Sequence, residues 1–298
     1  MAAAALYGGA KLIRYGMQLS GARQTSAYMQ AVYAEAPTAL PTEAPTALPT
    51  QLPQIAVTFA PWATPGVVAP AGPTATPFPR LRTQAYPENP DKAVAPRLQA
   101  LRKENKDVVG YLRLDHLLEE AVVQRDNVYY LTHDALKKEN VNGAIFLDAA
   151  VALKTRPYTY LLYGHNMKSG AMFGCLRNYE KASFYHSSPF ITFDSLYEEG
   201  RYVIFAVSSV SVEPGLRGYV DFFALTSDRL DERQAAIVAL IAASVHTCAV
   251  DVEPEDQLLL LVTCSDREEN RRIVAARRIR DGETEGDLKA LVGRTRKK

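Results

Sequence analysis

Cysteine is scarce in this chain of 298 residues: only Cys175, Cys248 and Cys264 occur. An odd set without paired spacing or a zinc-ligand pattern argues against a disulfide framework and leaves a free reactive thiol as the simpler reading. No metal and no cofactor is expected. Excess charge is lacking too, since 34 Lys and Arg face 33 Asp and Glu for a net +1. That balance carries no basic footprint for nucleic acid. A long apolar run is also missing near the start, where residues 2–10 are apolar but soon meet Lys11 and Arg14. A spanning helix needs about 20 predominantly apolar residues, and no convincing signal-cleavage pattern follows.

What the chain does have is Gln257-Leu-Leu-Leu-Leu-Val-Thr-Cys264, bounded by Pro254-Glu255-Asp256 on one side and by a charged loop on the other. An apolar run of that length between turn signals reads as a strand buried on both faces. Cys264 is then the last residue of a strand, at the edge of a polar loop. Eight residues later Arg272 opens a second apolar run, Ile273-Val-Ala-Ala276, so cysteine and arginine stand at adjacent ends of two antiparallel strands. A third strand, Tyr158-Thr-Tyr-Leu-Leu-Tyr163, ends in Gly164-His165-Asn166-Met167.

Thiol, guanidinium and imidazole at strand ends suit covalent acyl transfer. A thiolate attacks a carbonyl, a fixed positive donor stabilises the oxyanion, and a histidine carries the proton. Arginine serves as that donor because it keeps its charge and offers several N–H groups. The plainer alternative is that a lone cysteine and a lone histidine about a hundred residues apart are unrelated. Arg271 rivals Arg272, because alternation puts neighbours on opposite faces of a strand and the sequence does not orient it.

Taken together, Tyr163-Gly-His-Asn-Met167, Gly170-Ala-Met-Phe-Gly174, Leu261-Val-Thr-Cys264 and Arg272-Ile-Val274 resemble the signature of the class B sortases, cysteine transpeptidases of Gram-positive cell surfaces. Further matches, from Val108-Val-Gly-Tyr-Leu112 through Val122-Val-Gln124, Asp126-Asn127 and Tyr130-Leu131 to Gly143-Ala-Ile-Phe-Leu-Asp148, follow in the same order. The resemblance covers residues 105–280. It implies a mostly β fold with added helices: an eight-stranded sortase-type barrel with an N-terminal helix and a long helix in the loop before the cysteine strand. It also implies catalysis by His165, Cys264 and Arg272, favouring Arg272 over Arg271 because the family's arginine directly precedes the apolar strand residues. Asn127, Leu131, Asn166 and Thr263 fall at positions implied to lie near the peptide. Asp266 either orients the histidine or caps its loop.

By the same resemblance, the enzyme would cut a C-terminal sorting signal after threonine. It would pass the acyl group through a thioester to an amine of peptidoglycan or to a pilin lysine. Its partners would be sorting-signal-bearing surface or pilin proteins and the amine acceptor. The family's N-terminal membrane anchor, which would hold the catalytic domain on the extracellular face of the cell membrane, looks truncated in residues 1–30. A cysteine hydrolase of surface proteins, or a non-catalytic binding module on a stalk, are the other classes to separate.

Composition divides the chain. Residues 31–91 are rich in Pro, Ala and Thr and repeat Glu35-Ala-Pro-Thr-Ala-Leu-Pro-Thr42 as residues 43–50. Such a stretch buries too little apolar surface to offset its ordering entropy and reads as an extended spacer. The catalytic domain is expected over residues 92–298, ending in a short basic tail, with folding starting near the helix-permitting Pro96. Short strands follow at Tyr111–Leu114, Ala121–Gln124, Ala144–Leu147, Phe190–Phe193 and Arg201–Val207, with turns at Asp126-Asn127 and Asn142-Gly143. Between Arg229 and Val245, the apolar positions Leu230, Ala235, Ile237, Val238, Leu240, Ile241 and Val245 predict a long amphipathic helix. Cys175 and Cys248 read as packed small residues, and His116, His133, His186 and His246 receive no catalytic role.

Overall fold

A computed structural model describes residues 20–38, 79–264 and 270–298. Of Cys264, it describes the backbone. Ten strands and five helices are described. The first, α1, runs through residues 20–35, and α2 is Pro96–Glu104. Then come β1 (Val108–Leu114), β2 (Leu118–Val123), β3 (Ile145–Leu147) and β4 (Thr159–Gly164), followed by α3 (Ala182–Ser187), β5 (Phe190–Ser195) and β6 (Arg201–Ser211). The remainder is α4 (Leu230–Ala243), β7 (His246–Thr247), β8 (Leu258–Cys264), β9 (Asn270–Arg278), α5 (Glu285–Val292) and β10 (Arg296–Lys297).

Eight of the strands close a barrel in the order β1-β2-β3-β4-β8-β9-β6-β5, with β5 pairing back onto β1. Closure removes free sheet edges. The expected eight-stranded barrel with added helices is therefore what the chain forms. β8 explains its own apolar run: it lies between β4, to which it is parallel, and β9, to which it is antiparallel. Leu258 to Val262 are fully buried, and each such side chain contributes roughly 1.5–3 kcal/mol by leaving water. A 3₁₀ segment, Phe173–Glu180, lies against β8 and β9.

Two local outcomes differ from the sequence reading. In α4 the buried stripe is Arg233, Ala236, Ile237 and Leu240, whereas Val238 and Ile241 are exposed. The spacing of three and four residues holds, but a polar residue occupies one of its positions. Arg233 donates to the carbonyls of Pro254, Asp256 and Leu225 and to the hydroxyl of Thr159. Those carbonyls belong to the 3₁₀ segment Phe222–Thr226 and to the turn before β8, and they need a donor when buried.

The second difference is the extent of the folded unit, which the sequence reading begins near residue 92. Helix α1 lies against the barrel through buried Ala22, Met29 and Tyr33. Tyr33 stacks on Tyr111 at 3.8 Å and donates to Asp194 at 2.7 Å. Thr25 donates to Asp134 at 2.8 Å and Ser26 to Glu120 at 2.5 Å. Residues 79–91, placed in the spacer by composition, also run along the barrel, with Tyr86 buried. Of the anchor expected over residues 1–30 and the spacer expected over 31–91, residues 1–19 and 39–78 lie outside the described residues. No described helix is long and apolar enough to cross a membrane.

Candidate active site

Backbone pairing draws the ends of three strands together. β4 runs parallel to β8 with Gly164 opposite Thr263, so His165, the next residue, comes beside Cys264. The glycine before the histidine is required by packing: a Cβ there would lie 2.6 Å from the Ile145 side chain and 2.9 Å from the Phe173 ring. On the other side, Cys264 is opposite Arg271 and Thr263 opposite Arg272.

The imidazole is held from a third direction. Nε2 of His165 lies 2.7 Å from the carbonyl of Leu131. A carbonyl only accepts, so Nε2 carries a proton and Nδ1 is the nitrogen left to exchange one. Leu131 ends a single 3₁₀ turn, Tyr129–Leu131, whose start is capped by Asp126 Oδ1 accepting from the backbone N–H groups of Val128 and Tyr129. Its anchor is the fully buried Tyr130, which donates to Asp107 at 2.7 Å and accepts from Asn105. The expected Asp126-Asn127 turn thus fixes a carbonyl against the histidine, a role for Leu131 that its side chain alone did not suggest.

The two arginines differ in their surroundings. Arg272 is 13 % exposed and its Nε donates to Glu180 at 2.8 Å. That contact fixes the guanidinium plane and leaves the terminal nitrogens of the fork to other acceptors. Arg271 donates from Nη1 to the carbonyl of Asn270 at 2.8 Å. The pairing gives Arg271 the same side of the sheet as position 264, and Arg272 the side of Thr263.

The other predicted positions scatter more widely. Asn127 donates to Asp148 at 3.2 Å, and Tyr163 donates to the same carboxylate oxygen at 3.0 Å. This links Asn127 to the side of β4 that leads to His165. The Oδ1 of Asn166 is buried without a hydrogen-bond partner among the described residues. Thr263 is buried at 2 % exposure and alternates to the side of β8 opposite position 264, so it forms no open wall beside the thiol. Asp266 lies outside the described residues.

Cys175 is buried, and burial pushes its thiol up to about 12. Cys248 is half-buried and lies 2.8 Å from the Tyr185 hydroxyl. His133 stacks on Tyr129, His186 and His246 bond backbone carbonyls, and His116 sits in the β1–β2 turn. Among the described residues no cluster of His, Cys, Asp and Glu could hold a metal.

Sequence reasoning missed Glu180 and Asp148. Asp148 was visible as the last residue of a quoted motif. Glu180 carries no local signal, because its partner Arg272 is distant in the chain.

No protein-family model matches this chain. It is 31 % identical over 192 residues to a sortase B of Listeria monocytogenes and 29 % identical over 190 residues to a sortase B of Staphylococcus aureus. Each match covers 62 % of this chain and 75 % of the relative. A solved structure, a sortase B–substrate complex from Staphylococcus aureus, is similar with a TM-score of 0.55 at 28 % identity, over 64 % of this chain and 88 % of that one.

Proposed function

The chain belongs to the class B sortase family, and from that premise we propose that it is a thiol transpeptidase acting on a sorting-signal peptide. Cys264 attacks the carbonyl of the residue before the scissile bond, threonine by the family resemblance, and forms a thioester. His165 gives a proton to the leaving amine and later takes one from the incoming amine, and an arginine donor holds the oxyanion of the tetrahedral intermediates that precede and follow the thioester. The observation that carries the reading is the pairing Gly164–Thr263 with Cys264–Arg271, which gathers imidazole, thiol and guanidinium positions at one end of the barrel. The acceptor is an amine of peptidoglycan or a pilin lysine, and the enzyme works at the cell membrane on the extracellular face through an N-terminal anchor.

Arg272, held by Glu180, is the oxyanion donor that the family resemblance implies, although the pairing sets it on the Thr263 side of the sheet. A second reading, with Arg271 in that role, is favoured by its register opposite Cys264. The test is to incubate the full chain with peptides carrying a fixed threonine, with and without an amine acceptor, and to trap the intermediate by mass spectrometry. A thioester on Cys264 that partitions to the amine supports the transpeptidase. Release only of acid, whatever amine is added, makes the chain a hydrolase. A thioester on Cys175 or Cys248 refutes the assignment.

A further inference from the structure

Residues 79–84 fall within the compositional spacer, yet they run as an extended strap between two separate parts of the fold. On one side the backbone of Leu81 donates to Asp228 at 2.6 Å, Leu230 donates to the carbonyl of Pro79 at 3.1 Å, and Arg80 pairs with Asp228 at 3.0 Å. On the other, the Tyr158 hydroxyl donates to the carbonyl of Arg82 at 2.7 Å and the backbone of Arg156 to that of Gln84 at 3.0 Å. The strap therefore ties the start of α4 to the start of β4.

Beneath it lies a cavity of about 570 Å³ whose lining includes Leu81, Thr83, Asn127, Asp148, Leu161 and Phe223. Its apolar part is open to a ligand, since Phe223 is 52 % exposed. Leu161, in its lining, lies on the same side of β4 as Tyr163 and His165, and Tyr163 shares Asp148, another lining residue, with Asn127. At roughly 3.3 Å per residue, Tyr158 and His165 are about 23 Å apart, the span of about six or seven extended peptide residues.

We propose that this strap is the far wall of the peptide groove, and that Leu81, with Thr83 beside it, selects an apolar side chain about six residues before the scissile bond. This rests on the transpeptidase reading. The acyl side of the peptide is assigned to this end because the acyl group must stay bound while the leaving peptide is exchanged for the amine. The walled end of the groove suits the part that stays, and the strand ends beyond His165 suit the part that exchanges.

The test uses a peptide pool with a fixed threonine and seven randomised residues before it. Products made by the full chain, and absent with Cys264→Ala, are sequenced. The expected result is enrichment of apolar residues about six positions before the cut, lost in Leu81→Ser and kept in Leu81→Met, with circular dichroism melting unchanged between the two. For one enriched peptide, Leu81→Ser should raise KM about ten-fold with kcat unchanged. A version cut back to three residues before the threonine should show no such difference. Cleavage without distal enrichment, or an equal effect of Leu81→Ser on both lengths, overturns the strap's role and leaves the transpeptidase intact. No thiol-dependent product at all overturns the transpeptidase reading and the strap's role with it.

Discussion

Replacing Arg272 by alanine separates its proposed catalytic part from its structural one. The structural part is small: the side chain is 13 % exposed, but its partner Glu180 is 43 % exposed, and a pair with one largely solvated member contributes about 1 kcal/mol or less. The chemical part is larger, because loss of an oxyanion donor costs about 2.7–4 kcal/mol, a hundred- to a thousand-fold in kcat. Arg272→Ala should therefore lower the rate of thioester formation by at least about a hundred-fold while shifting the melting temperature by only a few degrees. Arg272→Lys keeps the charge without the planar fork and should fall between. Glu180→Gln should keep a hydrogen-bond acceptor for Nε and lose less than ten-fold, on the order of a weakened positioning contact. Single-turnover mixing of enzyme and a quenched fluorescent peptide, read by mass spectrometry at Cys264, measures the step directly. If Arg271→Ala loses more activity than Arg272→Ala, the register opposite Cys264 decides the donor and the Arg272 assignment is refuted.

Cys264→Ala should abolish the thioester entirely, since Cys175 is buried with its thiol pushed up to about 12 and Cys248 is half-buried against the Tyr185 hydroxyl; any residual acyl-enzyme by mass spectrometry would contradict this. Arg233→Met should remove the donor from three buried carbonyls while keeping volume, and lower stability by about 2–4 kcal/mol in urea unfolding; an unchanged midpoint would refute the view that Arg233 secures α4. Burial raises the Glu120 carboxyl to about 7, opposed by its hydrogen bond from Ser26 and assisted by Asp134. A carboxyl with a raised folded value holds its proton more tightly when folded. Its contribution is therefore present in full below the ordinary carboxylate range and is lost as pH rises through about 7. Thermal stability should fall between about pH 5 and 7, and Glu120→Gln should flatten that slope; an identical slope in the variant would show that another group is responsible.

Much of this protein could be read directly from its residues. The apolar run Gln257–Cys264 announced a strand buried on both faces, because a run of that length set between turn signals is too short for a buried helix and suits a central strand. The glycine before His165 and the strand before it announced where the histidine would stand. The ordered motifs identified the class B sortase pattern, and with it the closed barrel that β1 to β9 form without β7. The helix between Arg229 and Val245 was legible from its apolar positions, of which Ile237 and Leu240 are buried, whereas buried Arg233 and Ala236 were not among them.

Other features depended on contacts between distant parts of the chain. Arg233 could be buried only because the turns at Leu225, Pro254 and Asp256 converge on it, and a local pattern cannot count carbonyls that arrive from elsewhere. Residues 20–30 of helix α1 fell in the expected anchor, and its last residues together with 79–84 fell in the stretch read as burying too little apolar surface to fold. Their hydroxyls and backbone groups instead find acceptors and donors on the finished barrel, at Asp134, Glu120, Asp194, Tyr158 and Asp228. The side of the sheet given to Arg271 and Arg272 was likewise undetermined until β9 was paired with β8, because strand alternation is a relation between neighbours and a register is a property of the pair.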